Sequence, residues 1–314
     1  TKMILHERND IRQVGYETLK LYLQILGRTQ NSQHPTFPLY IFAQQNLKKR
    51  HYEQHGAFLI FAALLEYSPQ SVKNQASDLM NFFLAFLPRS PSDLRSLILH
   101  SLVLLAPFEL EDFKTQFFGI VLSALWSDTN QPKVEPIVSS SLKRLIQICP
   151  ELFQKSEENL ISTLRNLLIT CENAPDPNAF AIIKEISAHF PLIIKSNSRS
   201  ITSILLKTKI CKQFAQIVPQ LFKDYPFMWE QFRLEFIQMI RQTPNFIESV
   251  DVLDFISQCP SISSHDAISR LITSLSVSDP NVRCCVPRAI LAQISYSDDS
   301  FVVETIFRLI TISL

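Results

Sequence analysis

His51-Tyr-Glu-Gln-His55 sets two imidazoles four residues apart, a spacing that on a helix turns both to one face and could supply a metal with two ligands. The order is not His-Glu-x-x-His, because Glu53 stands midway between the histidines, and no third ligand is identifiable. The pair is therefore read as part of a solvated helix face, and no metal is expected. Directly upstream, Leu47-Lys-Lys-Arg50 gathers three bases. Lys48, Lys49 and Arg50 are the residues expected to touch a partner, through an acidic side chain or a phosphate, the alternative being ordinary charged surface. Cys284-Cys285 lacks metal-ligand spacing and a second pair, and vicinal cysteines on a helix point in different directions. Glu109, Glu111 and Asp112 sit at an expected helix start, where the dipole favours carboxylates with no catalytic role. The chain contains no Gly-x-Ser-x-Gly elbow, no Gly-x-x-x-x-Gly-Lys loop and no Cys-x-x-Cys pair. No catalytic or cofactor-binding residue is assigned. The chain is not expected to be an enzyme, to carry a cofactor or to take a small-molecule substrate.

Composition agrees with that reading. Four glycines (Gly15, Gly27, Gly56 and Gly119) stand against eighteen prolines in 314 residues, where an average chain would hold roughly twenty glycines. Loops that bring glycine backbone up to phosphate are correspondingly scarce. At 46% hydrophobic and 19% charged, the chain has the apolar material for a folded core. A net charge of +1 offers no general field for nucleic acid, so none is expected as a partner. Six cysteines spread over such a length suit a reducing compartment, where they act as small buried hydrophobes, so a cytoplasmic or nuclear location is expected. The longest apolar run, Gly56 to Leu65, is half of what a bilayer crossing needs, so no membrane span is expected. The chain begins on Thr1 and ends within an apolar helical pattern, which reads as a piece of a longer protein.

The elements that must position these residues are helices throughout, since apolar residues recur at steps of three and four. In Asp10 to Leu26, one stripe carries Ile11, Val14, Leu19, Tyr22, Leu23 and Leu26. Starts are marked at Ser68-Pro69, Ser92-Asp93 and Asp279-Pro280. An apolar residue followed by proline marks the boundaries: Leu87-Pro88, Ala106-Pro107, Cys149-Pro150, Phe190-Pro191, Val218-Pro219, Tyr225-Pro226 and Cys259-Pro260. Pro107, Pro150, Pro191, Pro226 and Pro260 follow one another at 43, 41, 35 and 34 residues, the spacing of a helical hairpin. The stretch from 28 to 55 is the least regular and is expected to be a connector, opening on the polar run Arg28 to Pro35. The phenylalanines, as in Asn81 to Leu87 and Asp224 to Phe236, are expected to be core between stacked hairpins.

Similar pieces recur in phase: Ile148-Cys-Pro-Glu-Leu-Phe153 with Ile217-Val-Pro-Gln-Leu-Phe222, and the helix starts Asn9-Asp-Ile-Arg12, Ser92-Asp-Leu-Arg95 and Pro280-Asn-Val-Arg283. Ser278 to Ile294 resembles the second helix of a HEAT repeat through Asp279, Val282, Arg283, Ala289 and Leu291, with Pro287 departing from the pattern and expected to kink it. Asp10 to Leu26 resembles an early helix in the N-terminal helical regions of tuberin and the Ral GTPase-activating protein alpha subunits, through Arg12, Gly15, Leu19, Leu23, Gln24 and Leu26. That resemblance implies a scaffold that binds partner subunits, with GTPase-activating catalysis lying outside this chain. The expected fold is thus all-α: a single α/α superhelix over 1–314, a HEAT-like (armadillo-type) solenoid of about seven hairpins. The expected function is non-catalytic protein–protein interaction. An importin-type transport adaptor and the helical arm of a large lipid-kinase-like protein kinase are the alternatives.

Overall fold

The structure, a computed structural model, describes residues 2–28, 36–131, 134–169, 175–243, 245–262, 264–276, 279–294, 303–305 and 307. Among them every regular element is helical and no strand occurs. The chain divides into two compact units, Thr1–Phe153 and Gln154–Leu314.

In the first unit a 3₁₀ turn, Met3–Leu5, precedes α1 (Asn9–Arg28), α2 (Thr36–Asn46), α3 (His51–Tyr67), α4 (Ala76–Phe86) and α5 (Ser92–Leu105). The short α6 (Leu110–Asp112) runs through a π-helical turn, Phe113–Phe117, into α7 (Phe118–Thr129), and α8 (Pro136–Ile148) follows. Helices pack past their next neighbour: α3 lies against α1 and α5, and α5 against α8 beyond the continuous α6–α7 segment, while α2, α4 and α7 lie on their next neighbours α3, α5 and α8. α3 is covered from several sides, and its sequence matches that position. Ala57 to Leu65 is apolar around the whole helix, and every one of those side chains is buried. Phe58, Phe61 and Phe83 meet there with ring centroids 5.0 to 6.4 Å apart, in tilted and edge-on contacts that exploit the ring quadrupole.

The second unit holds α9 (Glu157–Ile169), α10 (Pro177–His189), α11 (Pro191–Ser196), α12 (Ser198–Lys207), α13 (Lys212–Asp224), α14 (Pro226–Gln242), α15 (Val250–Gln258), α16 (His265–Thr273) and α17 (Pro280–Ile294). Packing past the next neighbour recurs here, with the short α11 and α12 separated by Asn197 alone and together forming one step. One row runs α10, α13, α15, α17, the other α9, α12, α14, α16, and cross-contacts such as α13 with α14 and α16 with α17 join them. Phe214, Phe222, Phe232, Phe236 and Phe255 form its aromatic centre, Phe236 and Phe255 meeting edge-on at 5.3 Å. These phenylalanines, like Phe58, Phe61 and Phe83, are core as their helical spacing suggests, whereas Phe82 and Phe86 are half-buried.

Six of the seven expected apolar–proline boundaries fall at helix ends. α8, α10, α13 and α15 each end two residues before Pro150, Pro191, Pro226 and Pro260, and Pro88 and Pro107 sit in 3₁₀ turns that close α4 and α5. Pro219 is the exception, lying inside α13. The stripe Phe214, Ala215, Val218, Leu221 and Phe222 continues across it and is wholly buried. At roughly 1.5–3 kcal/mol for each large apolar side chain, that burial outweighs the ~3 kcal/mol a helix-interior proline costs. α17 likewise runs as one helix through Pro287.

The stretch 28–55, expected to be a connector, contains all of α2 and the start of α3. Leu39-Tyr-Ile-Phe42 puts apolar groups on every side of α2, so no one-sided stripe marks it as a helix. On α1 the expected stripe is only partly covered: Leu23 is buried, whereas Val14 and Tyr22 are exposed, α3 being its one long helical neighbour among the principal contacts. The polar runs 29–35, 132–133 and 173–174, Cys171 and most of 301–314 lie outside the described residues. Among the described cysteines Cys149 and Cys259 are buried, whereas Cys284 is exposed, its thiol directed at the Pro280 carbonyl. Cys284 is therefore not the packed side chain its sequence context suggests. No described helix is long and apolar enough to cross a membrane.

Candidate functional site

The basic cluster forms the corner between α2 and α3. Asn46, at the end of α2, is buried with its amide donating to the Phe42 carbonyl, and Leu47 is buried behind it. Lys48, Lys49 and Arg50 then turn outward and are all exposed. The turn is fixed by backbone: Lys49 N–H donates to Asn46 O, and Gln54 reaches back to Lys49 O. Arg50 occupies the N-cap of α3 without an acceptor of its own. Glu53 supplies half of a capping box instead, its carboxylate accepting the Arg50 N–H at 3.1 Å. Glu53 also pairs with Lys49, its Oε1 4.0 Å from Lys49 Nζ, and the Glu7 carboxylate acts on Arg50, so two carboxylates stand against the three bases of the corner. The corner presents net positive charge.

Beside this corner a cleft of about 580 Å³ opens between α2 and α4, lined by Tyr40, Gln44, Leu47, Lys48, Leu79 and Phe82, with Gln45 and Asp78 also in the lining and the Asp78 charge acting on Tyr40. Its floor is apolar and recessed, since Tyr40, Leu47 and Leu79 are buried. Phe37, one turn before Tyr40 and stacked on it at 6.1 Å, is 57% exposed and extends the aromatic ledge. Sequence reasoning places Lys48, Lys49 and Arg50 but not this cleft, because Phe82 and Leu79 come from a helix thirty or more residues away.

The two histidines fare differently. His51 is half-exposed and His55 almost wholly buried, so the expected solvated face holds for the first alone. Their common neighbour is Asp93 on α5, 3.7 Å from His51 Nε2 and 4.0 Å from His55 Nε2. Burial pushes His55 down to about 4, the positive charges of Arg12 and His51 acting the same way and the Asp93 carboxylate opposing. Arg12 is itself buried. Its guanidinium donates to the carbonyls of His6 and Glu7 at 2.8 and 2.7 Å and to Asn9 Oδ1 at 3.2 Å, tying the N-terminal segment to α1. Among the described residues no three histidine, cysteine or carboxylate side chains are arranged to hold a metal.

The constellation closest to catalytic chemistry joins α3, α5 and α8. His100 Nε2 stands 3.3 Å from Glu66 Oε1, and His100 Nδ1 stands 2.9 Å from Ser141 Oγ. Burial alone would raise Glu66, but the His100 hydrogen bond and charge, with Lys20 and Tyr67, bring it below the ordinary carboxylate range. A Ser–His–carboxylate order is thus present, yet Ser141 is fully buried and donates to the Ile137 carbonyl at 2.6 Å. No substrate reaches that hydroxyl, and the group acts as a polar clasp across three packed helices. Its signal in the sequence is positional. Glu66, His100 and Ser141 follow one another at 34 and 41 residues, the spacing of a helical hairpin.

The sequence matches no protein-family model and no curated protein, so the reading of this surface rests on its geometry and chemistry.

Proposed function

We propose that this chain works by binding other proteins, as a HEAT-type α/α repeat scaffold. The observation that carries the reading is the packing of helices two or three places apart within each unit: α1, α3, α5, α8 in the first, and the rows α10, α13, α15, α17 and α9, α12, α14, α16 in the second. A solenoid is built in this way, each hairpin burying its apolar face on its neighbours, and it leaves elongated inter-helix clefts as binding surface. The recurrent proline spacing of 43, 41, 35 and 34 residues supports the same architecture.

The resemblance of α1 to the tuberin and Ral GTPase-activating protein helices gives the proposal its narrower form, a partner-binding region of a large GTPase-activator assembly. The matching residues have structural work in this chain: Arg12 ties down the N-terminal segment, Gly15 faces Met3 and Ile4, and Leu23 is buried. The test is affinity capture with the whole chain under mild cross-linking, read by quantitative mass spectrometry. Stoichiometric recovery of a defined partner is expected. Recovery of chaperones alone overturns the scaffold reading, and turnover by the purified chain overturns its non-catalytic character.

A further inference from the structure

We infer that the α2–α4 cleft is a docking groove for an acidic amphipathic peptide, whose apolar side chains enter between Tyr40, Leu79 and Phe82 while its carboxylates meet Lys48, Lys49 and Arg50. The inference rests on the scaffold reading and names the chemistry of a partner. Shape and charge carry it together. The apolar floor is recessed, with Tyr40, Leu47 and Leu79 buried at its base and half-buried Phe82 on its wall, so it accepts side chains inserted from a neighbouring backbone. Gln44 and Gln45 edge the cleft with amides suited to a peptide backbone.

The positive end is only partly offset within the chain, by Glu53 beside Lys49 and by Glu7 acting on Arg50. Lys48, Lys49 and Arg50 are exposed, and the Glu53 pairing with Lys49 at 4.0 Å is a weak exposed one, the other Glu53 oxygen holding the Arg50 N–H, so the bases stay open to a second carboxylate. Asp78 on α4 lines the cleft on the side of Tyr40, whose phenol is pushed up by burial and by the Asp78 charge, and this sets a direction: acidic residues toward the α2–α3 corner, neutral or basic ones toward Asp78. Such a segment is recognised by apolar anchors for affinity and exposed ion pairs for orientation.

The test pans a displayed random-peptide library on the whole chain, then measures dye-labelled selected peptides by fluorescence anisotropy. Enriched peptides are expected to pair aromatic or aliphatic residues with a run of Asp or Glu, and to weaken as salt is raised. The triple variant Lys48→Gln/Lys49→Gln/Arg50→Gln, which changes only exposed side chains, is expected to lose about tenfold in affinity. Gln44→Trp, which fills the cleft without changing charge, is expected to abolish binding. Circular dichroism confirms that both variants fold. Failure to enrich any peptide, enrichment of basic peptides, or equal binding by the variants overturns the inference. Sedimentation with phosphatidylserine vesicles that depends on Lys48, Lys49 and Arg50, with no peptide enriched, overturns it in favour of a membrane surface. If the variants still capture the cellular partners of the parent chain, the groove is wrong and the scaffold reading stands; if the parent chain captures none, the scaffold reading itself fails.

Discussion

The carbonyl of Ile4 occupies the space beside Gly56 that any other residue's β-carbon would take. An ideal Cβ on Gly56 would overlap that oxygen and lie 2.8 Å from Leu5 Cδ2 and 2.9 Å from the Ile4 carbonyl carbon. Gly15 on α1 faces the same segment, its notional Cβ 2.8 Å from Ile4 N. The turn Met3–Leu5 therefore beds onto two helices at their glycines, with Ile4 buried. Two of the chain's four glycines are accounted for by close approach of backbone.

Gly56→Ala is expected to destabilise the first unit by about 1–3 kcal/mol, because the Met3–Leu5 backbone must move away from α3. Gly119→Ala is the opposite case. Gly119 is exposed in α7, and a Cβ there meets nothing within 4 Å. That substitution is expected to stabilise by about 0.5–1 kcal/mol through helix propensity and the unfolded chain. Urea unfolding of the two variants should move in opposite directions; equal shifts would show that Gly56 is an ordinary helix position.

His55 gives the first unit a dependence on acid. Burial holds its folded value near 4 against 6.5 unfolded, so below pH 6.5 the unfolded chain binds the proton that the folded one refuses. Stability is complete above about pH 6.5 and falls as pH drops toward 4, by on the order of 3 kcal/mol for this group. His55→Leu is expected to flatten the urea midpoint between those limits. An unchanged slope would mean that His55 takes up its proton within the fold, with Asp93 as its counter-charge.

The Glu66–His100–Ser141 clasp should behave as structure. Ser141→Ala leaves His100 Nδ1 facing a methyl group in a fully buried site, at a cost of about 1–3 kcal/mol. Hydrolysis of activated esters should be absent from the parent chain and from this variant alike. A serine-dependent ester cleavage, abolished by Ser141→Ala while the fold persists by circular dichroism, would instead make the clasp an active site.

The helical class and the proline-marked helix ends are legible in the sequence because each has a local cause. Pro150, Pro191, Pro226 and Pro260 cannot continue the ladder that precedes them, and Asp176 accepts from the Asn178 N–H as a side-chain cap does. What is illegible depends on neighbours remote in the chain. α2 is apolar on all sides and so lacks a readable stripe, and Pro219 is overridden by the burial of side chains on both sides of it. The same divide runs through the candidate surface. Lys48, Lys49 and Arg50 are contiguous and visible, whereas the cleft beside them exists only because Leu79 and Phe82 arrive from α4. His55 is the sharpest case: its spacing from His51 is local, but its burial comes from the packing of α3 with α1 and α5.

Gln293 should be the least replaceable polar side chain of the second unit. It is buried on α17, where its amide nitrogen donates to the Ile256 carbonyl at 2.7 Å and its oxygen accepts the Ile262 N–H at 2.8 Å. One side chain thus satisfies the end of α15 and the backbone beyond Pro260, which cannot donate to that ladder. Gln293→Leu keeps the volume and removes both bonds, leaving a buried carbonyl and a buried N–H without that partner, at about 1–3 kcal/mol each. Gln293→Glu keeps the acceptor and loses the donor, so it should recover part of the loss at acidic pH, where the protonated carboxyl can donate to Ile256. Hydrogen exchange at the Ile262 amide reads the effect locally: it should accelerate strongly in Gln293→Leu and less in Gln293→Glu. Equal protection in all three proteins would show that the Ile262 N–H has another acceptor and that Gln293 merely fills space.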